Sequence, residues 1–461
     1  MLQSNKFADY LETVRRQIRW KRAQTYVLEE IENHLADQKD AFQRDGLDEE
    51  TAAIRAIAEM GDPVMVGEQL DRTHRPQPDW PLLAITALLI ILGLSIQFII
   101  GTDINDGMER FYRQVTWAGL AVIVFLAAYF LDFTIIGKYS LIIYGLLMAI
   151  ALGDYWLSGG GIAGYNTAIY PLLLFPTIFA GLVYRMRNEG YWGLAFCGAL
   201  AIIPIILISF MHYLTVLFLV GTSCLIILTV AVAKGWFRVR KLYALFMVYF
   251  PSGVIFSTMF FTMINQDYVR IRLQAALNPS SDPTGAGYMT TLVQKLLSHS
   301  QLFGEGLPVG DYGYYPIAKI LPEINTNFLL TYLTHRFGWM LLIGILVIFA
   351  VFIVRAVLMS KRQKSALGQL VSLAIILTFA IQVLTYIAFN LGFLVFNPVS
   401  LPFISYGGRA LLINTCLIGF LLSIFRTGSL VSDKVGGAGI KAGRLIQYED
   451  GKIIINLKAV Q

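Results

Sequence analysis

Ten predominantly apolar stretches, each close to the ~20 residues that cross a bilayer as a helix, constrain this chain more than any other feature. They centre on 82–101, 115–132, 139–157, 168–184, 192–210, 213–233, 243–263, 338–358, 367–390 and 410–426. In hydrocarbon every backbone N–H and C=O has to be satisfied within the protein, and segments of this length and uniformity do so as helices. Only 14% of the 461 residues are charged and 56% are hydrophobic, whereas soluble domains carry roughly 25% charged residues. The expected fold is an all-α polytopic membrane protein of about ten transmembrane helices, with a small soluble helical domain in front. Pro171 and Pro176 predict a kink or break in the fourth segment. The ninth is open to running on as a re-entrant stretch through Asn397-Pro398.

Residues 1–78 read as a separate soluble unit of three or four helices. Val27, Leu28, Ile31 and Leu35 give Tyr26 to Phe42 an apolar helical stripe opposite a charged face. Gly46 suits a left-handed helix stop. Asp48 offers an oxygen to the next helix's free amides, with Glu49 and Glu50 in the first turn, which the helix dipole favours. Gly61-Asp62-Pro63 repeats the device, with proline where no amide hydrogen is needed. The remaining boundaries place a membrane body at 79–431 and a tail at 432–461, where Asp450-Gly451 between alternating runs predicts a type I′ hairpin.

Basic residues set the orientation. Arg185, Arg187, Lys234, Arg238, Arg240, Lys241, Arg355, Lys361, Arg362, Lys364, Arg426 and Lys434 fall on one side if the segments alternate, whereas the short opposing loop 158–167 has none. Positive-inside logic then puts both termini in the cytoplasm and the long loop 264–337, between spans seven and eight, outside. Trp80, Trp117, Trp156, Trp192, Trp236 and Trp339 lie near span ends, where an interfacial belt is expected. The net charge of +6 forms no stripe, which argues against nucleic acid as a partner. Cys197, Cys224 and Cys416 sit in apolar stretches without CxxC spacing, so neither a disulfide framework nor a metal site is expected. The charged N-terminus lacks a signal-peptide core, and no cleavage is expected.

The loop is the one long polar interruption and reads as the working surface, without a periodic apolar face of its own. It gathers Arg270, Arg272, Asp282, Lys295, Glu305, Asp311 and Glu323 between nearly uncharged flanks. Arg270 and Arg272 are candidates to clamp an anionic group, or alternatively an interfacial snorkelling pair. Asp311, in VGDYGYY, and Glu323 are candidate acids, or alternatively solvated loop residues. If the chain after Pro322 were helical, Glu323 and Asn327 would share a face. His335 stands as a candidate proton carrier or a polar residue at the membrane edge.

SDPTGAGY, FGEG and LPEINTNF in this loop, and NPVSLPFISYGGRALL after it, resemble the SEDS family (shape, elongation, division and sporulation; the FtsW, RodA and SpoVE proteins) over about residues 80–430. Pro398, Pro402 and Ser405-Tyr406-Gly407-Gly408 carry the likeness, and Phe175-Pro176-Thr177 is a weaker echo of the family's Gln-Pro-Ser. The N-terminal unit similarly resembles the helical prefix domains (HAAS type) that precede bacterial membrane proteins. The SEDS resemblance implies a peptidoglycan glycosyltransferase that polymerises lipid II on the outer membrane face, usually beside a class B penicillin-binding protein (a transpeptidase). Thr326, Pro398, Ser405, Tyr406, Gly407 and Gly408 then line the substrate, and positive groups or a divalent cation hold its pyrophosphate. No nucleotide cofactor motif occurs.

The departures matter as much. The family's base is the Asp of Thr-Asp-Phe, and here the triplet is Thr326-Asn327-Phe328. An amide cannot accept a proton near neutral pH. Glu305 stands where Lys is usual, His335-Arg336 where acids are common, Arg409 in place of a small residue, and Ile178 in place of the acid after Pro-Thr. Three readings stay open: a polymerase with a relocated base at Glu323 or Asp311, a non-catalytic scaffold or regulator of cell-wall synthesis, and a flippase for the lipid-linked precursor. Few charges lie inside the spans, which counts against transport.

Overall fold

The structure, a computed structural model, describes residues 2–104, 107–157, 169–211, 213–279, 282–309, 316–394, 397–428, 446–449 and 452–455. The chain divides into two compact units, Met1–Pro78 and a body that starts at Asp79.

The first unit contains four helices: α1 (Leu2–Gln17), α2 (Lys21–Arg44), α3 (Glu49–Met60) and α4 (Pro63–His74). Its core is Tyr10, Val14 and Ile18 from α1 and its end, Val27, Ile31 and Leu35 from α2, and Ala56 from α3. The helix stops use the local chemistry directly. Gly46 and Gly61 sit at φ 93° and 86°, a region that suits glycine because a Cβ is crowded there. Asp48 accepts the Thr51 amide at 3.1 Å and Asp62 the Val64 amide at 2.9 Å. Asp71 ties α4 back to the chain after α1 by accepting the Arg19 amide at 2.8 Å.

The body contains α5 (Trp80–Asp103), α6 (Gly107–Phe130), α7 (Thr134–Lys138), α8 (Ser140–Leu157), α9 (Ile169–Leu172), α10 (Phe175–Arg185), α11 (Gly190–Phe210), α12 (Leu214–Ala233) and α13 (Lys241–Ile264). The long loop carries α14 (Asp267–Leu277), α15 (Tyr288–Ser298), α16 (Ile317–Ile320) and α17 (Leu329–Phe337), and α18 (Trp339–Lys361), α19 (Ala366–Asn390) and α20 (Gly408–Thr427) follow. Nine helices among the described residues are long and apolar enough to cross a membrane, and the fourth expected segment is the broken pair α9–α10. The break falls between the two prolines, as their missing amide hydrogens require. Strands β1 (Ile446–Glu449) and β2 (Lys452–Ile455) pair antiparallel with Glu449 opposite Lys452, which leaves a two-residue connection. The conformation of Asp450-Gly451 lies outside the described residues.

Helix α19 is the centre of the body, packed by α10, α12, α17, α18 and α20, whereas α13 leaves most of its aromatic face uncovered. Close approach is made possible by small residues, as in membrane bundles generally. A Cβ on Gly93 of α5 would come 2.3 Å from the Phe403 carbonyl oxygen, and one on Gly419 of α20 2.7 Å from Ala128 of α6. At the far end of α5, buried Asp79 caps the helix at the Leu82 amide (3.0 Å) and pairs with Arg355 of α18 (3.0 Å).

Two expectations need correction. The loop is not without apolar faces: α15 buries Leu292, Val293 and Leu296, and α17 buries Leu329 to His335. The ninth span ends as a helix at Asn390, and residues 398–405 beyond it form a buried non-helical stretch. Trp117 is not a belt residue but lies within α6, against Gly408.

Candidate functional site

Residues 322–328, between α16 and α17, run as consecutive turns rather than as a helix. Pro322 has no amide hydrogen to offer a helix. Glu323 takes a left-handed backbone at φ 49°, and its carbonyl accepts the amides of Thr326 (3.0 Å) and Phe328 (3.2 Å). The chain therefore curls back on itself, and Asn327 donates from Nδ2 to Glu323 Oε2. Left-handed non-glycine backbone is costly and persists only where the surroundings hold it.

Those surroundings grip three consecutive carbonyls. The Asn325 carbonyl accepts the Tyr406 amide (2.8 Å) and Gln97 Nε2 of α5 (3.3 Å). The Thr326 carbonyl accepts the Tyr386 hydroxyl of α19. The Asn327 carbonyl accepts Asn390 Nδ2 of α19 at 2.9 Å, while Asn390 Oδ1 accepts the Thr331 amide at 3.0 Å. Gln97, Tyr386 and Asn390 are buried, yet the Glu323 side chain is exposed and Asn327 only half-buried. The backbone of the turn is thus fixed from below while its carboxylate and amide face outward.

The stretch 397–408 meets the turn from the other side. Ser405 Oγ accepts the Leu401 amide at 3.0 Å and closes its own loop, and Pro398 is buried. Gln97 Nε2 also reaches the Ile404 carbonyl (3.2 Å), and Gln114 Oε1 of α6 accepts the Gly407 amide (3.2 Å). Gly407 sits at φ 155°, and a Cβ on Gly408 would come 2.2 Å from the Trp117 ring. Tyr406, Gly407 and Gly408 are half-buried beside these contacts, and Arg113 lies within electrostatic reach of Tyr406. Arg409, first in line after the glycines, pairs with Asp154 of α8 at 3.0 Å.

Asp282 of SDPTGAGY accepts the amides of Gly285 (3.0 Å) and Ala286 (2.9 Å), so its carboxylate is engaged in shaping that turn. Residues 301–306 lie alongside 335–340, with Gly306 donating to the His335 carbonyl (2.6 Å) and Trp339 to Gln301 (3.0 Å). There Arg336 Nη1 sits 2.6 Å from Glu305 Oε1, and Tyr332 donates to Asp103 Oδ2 at 2.6 Å. Burial, then the Asp103 carboxylate, holds the Tyr332 hydroxyl protonated well above the ordinary range. Burial likewise pushes the His335 pKa down, so the ring favours its neutral form.

Of the candidate site residues, the structure brings together Glu323, Thr326, Asn327, Tyr406 and, one or two residues on, Gly407 and Gly408. Arg270 is exposed on α14, which packs against α13. The Arg272 side chain and all of Asp311 lie outside the described residues. Among the described residues no group of three or more His, Cys, Asp or Glu is placed to hold a metal ion. Sequence reasoning missed Gln97, Gln114, Tyr386 and Asn390, which do the positioning. Their signal was there: polar side chains inside apolar spans are costly unless engaged.

A family model described as cell cycle protein, covering FtsW, RodA and SpoVE, matches residues 170–429. The chain belongs to this FtsW/RodA/SpoVE family. It is 30% identical over 164 residues to a probable peptidoglycan glycosyltransferase FtsW of Trichlorobacter lovleyi, a match that covers 36% of this chain and 42% of that one. It is 27% identical over 375 residues to the peptidoglycan glycosyltransferase MrdB of Escherichia coli K12, covering 77% and 95%. Its fold is similar to a chain in a solved peptidoglycan synthase complex, TM-score 0.58 at 18% identity, covering 76% of this chain and 98% of that one.

Two positions singled out separately in the sequence, Glu305 and Arg336, are each other's partners.

Proposed function

We propose that this protein is a peptidoglycan glycosyltransferase of the bacterial cell membrane, with both termini in the cytoplasm and the 322–328 turn on the outer face. Its substrate is a lipid II-type precursor, a disaccharide-peptide on a polyprenyl diphosphate. An acceptor sugar hydroxyl attacks the anomeric carbon of the donor, the carbon–oxygen bond to the diphosphate breaks, and the diphosphate leaves with the electron pair. The hydroxyl proton passes to the Glu323 carboxylate. One observation carries this assignment: the Asn327 amide holds the Glu323 carboxylate on an exposed, backbone-locked turn. The amide at 327 orients a carboxylate four residues upstream where family members have a carboxylate of their own. A class B transpeptidase as membrane partner is supported by the solved synthase complex whose fold this body shares.

Lipid II polymerisation by the purified full-length protein tests the reading. Native protein is expected to make glycan, and Glu323→Gln to lose roughly 10²–10⁴-fold, the usual worth of a general base. Glycan from Glu323→Gln at the native rate would overturn the role of Glu323. A native protein that makes none while Asn327→Asp does would favour the second reading, a precursor-binding scaffold, which the amide at 327 also supports.

A further inference from the structure

Arg409 opens the last span with a cation, one residue into its helix. Its side chain is 52% exposed and is held at one edge only, with Nη1 at 3.3 Å and 3.0 Å from the two Asp154 oxygens. The other guanidinium nitrogens make no hydrogen bond among the described residues. The first turn of a helix is the positive end of its dipole, so an arginine gains nothing there from its own helix. The base beneath it is nevertheless rigid, with the Gly407 amide on Gln114 and Gly408 pressed to Trp117. Three residues before Arg409, Tyr406 is bonded to Asn325, two residues from Asn327. Tyr170 of α9 also lies within electrostatic reach of the guanidinium.

We propose that Arg409 receives the diphosphate of a polyprenyl-linked sugar, and that Asp154 keeps the guanidinium in place until it arrives. The inference deepens the glycosyltransferase reading and rests on it for the identity of the site. Its physical basis is a difference in strength. A half-exposed carboxylate pair is weak and easily traded, whereas the planar guanidinium matches phosphate oxygens with two parallel, charge-assisted bonds. Arg409 is then a residue that selects diphosphate over monophosphate carriers.

The test titrates full-length protein in phosphatidylcholine nanodiscs with radiolabelled farnesyl diphosphate and farnesyl monophosphate. The diphosphate is expected to bind more tightly, and Arg409→Gln to weaken it at least about ten-fold, as for loss of one charged hydrogen-bonding group. The same change should move monophosphate binding much less. Arg409→Lys restores only part, because an ammonium lacks the fork, and Asp154→Asn tightens binding by removing the competing carboxylate. Unchanged diphosphate affinity in Arg409→Gln overturns the proposal, and so does an Asp154→Asn loss equal to that of Arg409→Gln, which would mark a purely structural pair. Equal competition by phosphatidylglycerol overturns it in favour of a lipid headgroup contact. With lipid II as substrate, Arg409→Gln raises KM more than it lowers kcat. Native KM in that variant removes this inference and leaves the glycosyltransferase reading standing. Arg409-dependent diphosphate binding in a protein that makes no glycan does the reverse.

Discussion

Asn390 Nδ2 donates to the Asn327 carbonyl at 2.9 Å, while the same amide's oxygen accepts the Thr331 backbone N–H at 3.0 Å. One buried side chain on the central helix therefore fixes both the end of the candidate catalytic turn and the start of α17. Asn390→Leu leaves a buried carbonyl and a buried N–H without partners, each costing about 1–3 kcal/mol. The variant should lose several degrees of thermal midpoint in detergent, and any glycan synthesis should fall with it. Unchanged stability would mean that the turn is held elsewhere.

Glu305 and Arg336 form an ion pair at 2.6 Å, and their pairing predicts a compensating pair of reversals. Glu305→Lys and Arg336→Glu alone each set like charges together and should each cost about 1 kcal/mol, since both groups are partly solvated. The double variant should recover most of that loss. Additive losses in the double-mutant cycle would show that the contact stabilises nothing.

His335 gives the fold a pH dependence of known sign. Burial lowers its folded pKa below the ordinary 6.5, so the unfolded chain takes up the proton first as pH falls. Stability contributed by the neutral ring is complete above 6.5 and declines with falling pH until the depressed folded pKa is reached. Thermal midpoints should drop between pH 7.5 and 5, and His335→Gln should flatten that drop. A native midpoint independent of pH across this window would contradict the assignment.

Gly93 and Gly119 offer a matched comparison on neighbouring spans. A Cβ on Gly93 would collide with the Phe403 carbonyl, whereas one on Gly119 meets nothing within 4 Å. Gly93→Ala should destabilise the body by about 1–3 kcal/mol through forced backbone movement. Gly119→Ala should be neutral or slightly stabilising, because alanine is the better helix former. Equal behaviour of the two in a thermal melt would refute the close approach of α5 to the 397–406 stretch.

The number and order of the spans, the proline break in the fourth and the stops at Gly46 and Gly61 were all legible in the sequence. Each follows from local physics: a bilayer-length apolar run, a missing amide hydrogen, a backbone angle that suits glycine. The Thr326-Asn327-Phe328 departure was legible too, as a statement of what residue 327 cannot do. Only the tertiary structure decided what stands beside it. Helical spacing offered a route from Glu323 to Asn327, but the chain after Pro322 is not helical, and the two meet through a left-handed turn instead. That turn is held by Gln97, Tyr386, Asn390 and the Tyr406 amide, which lie from 60 to 228 residues away along the chain. The pairing of Glu305 with Arg336 was invisible for the same reason. Sequence periodicity reports which face of a segment avoids water, whereas the pairing of polar groups across segments depends on how the packed helices bring those faces together.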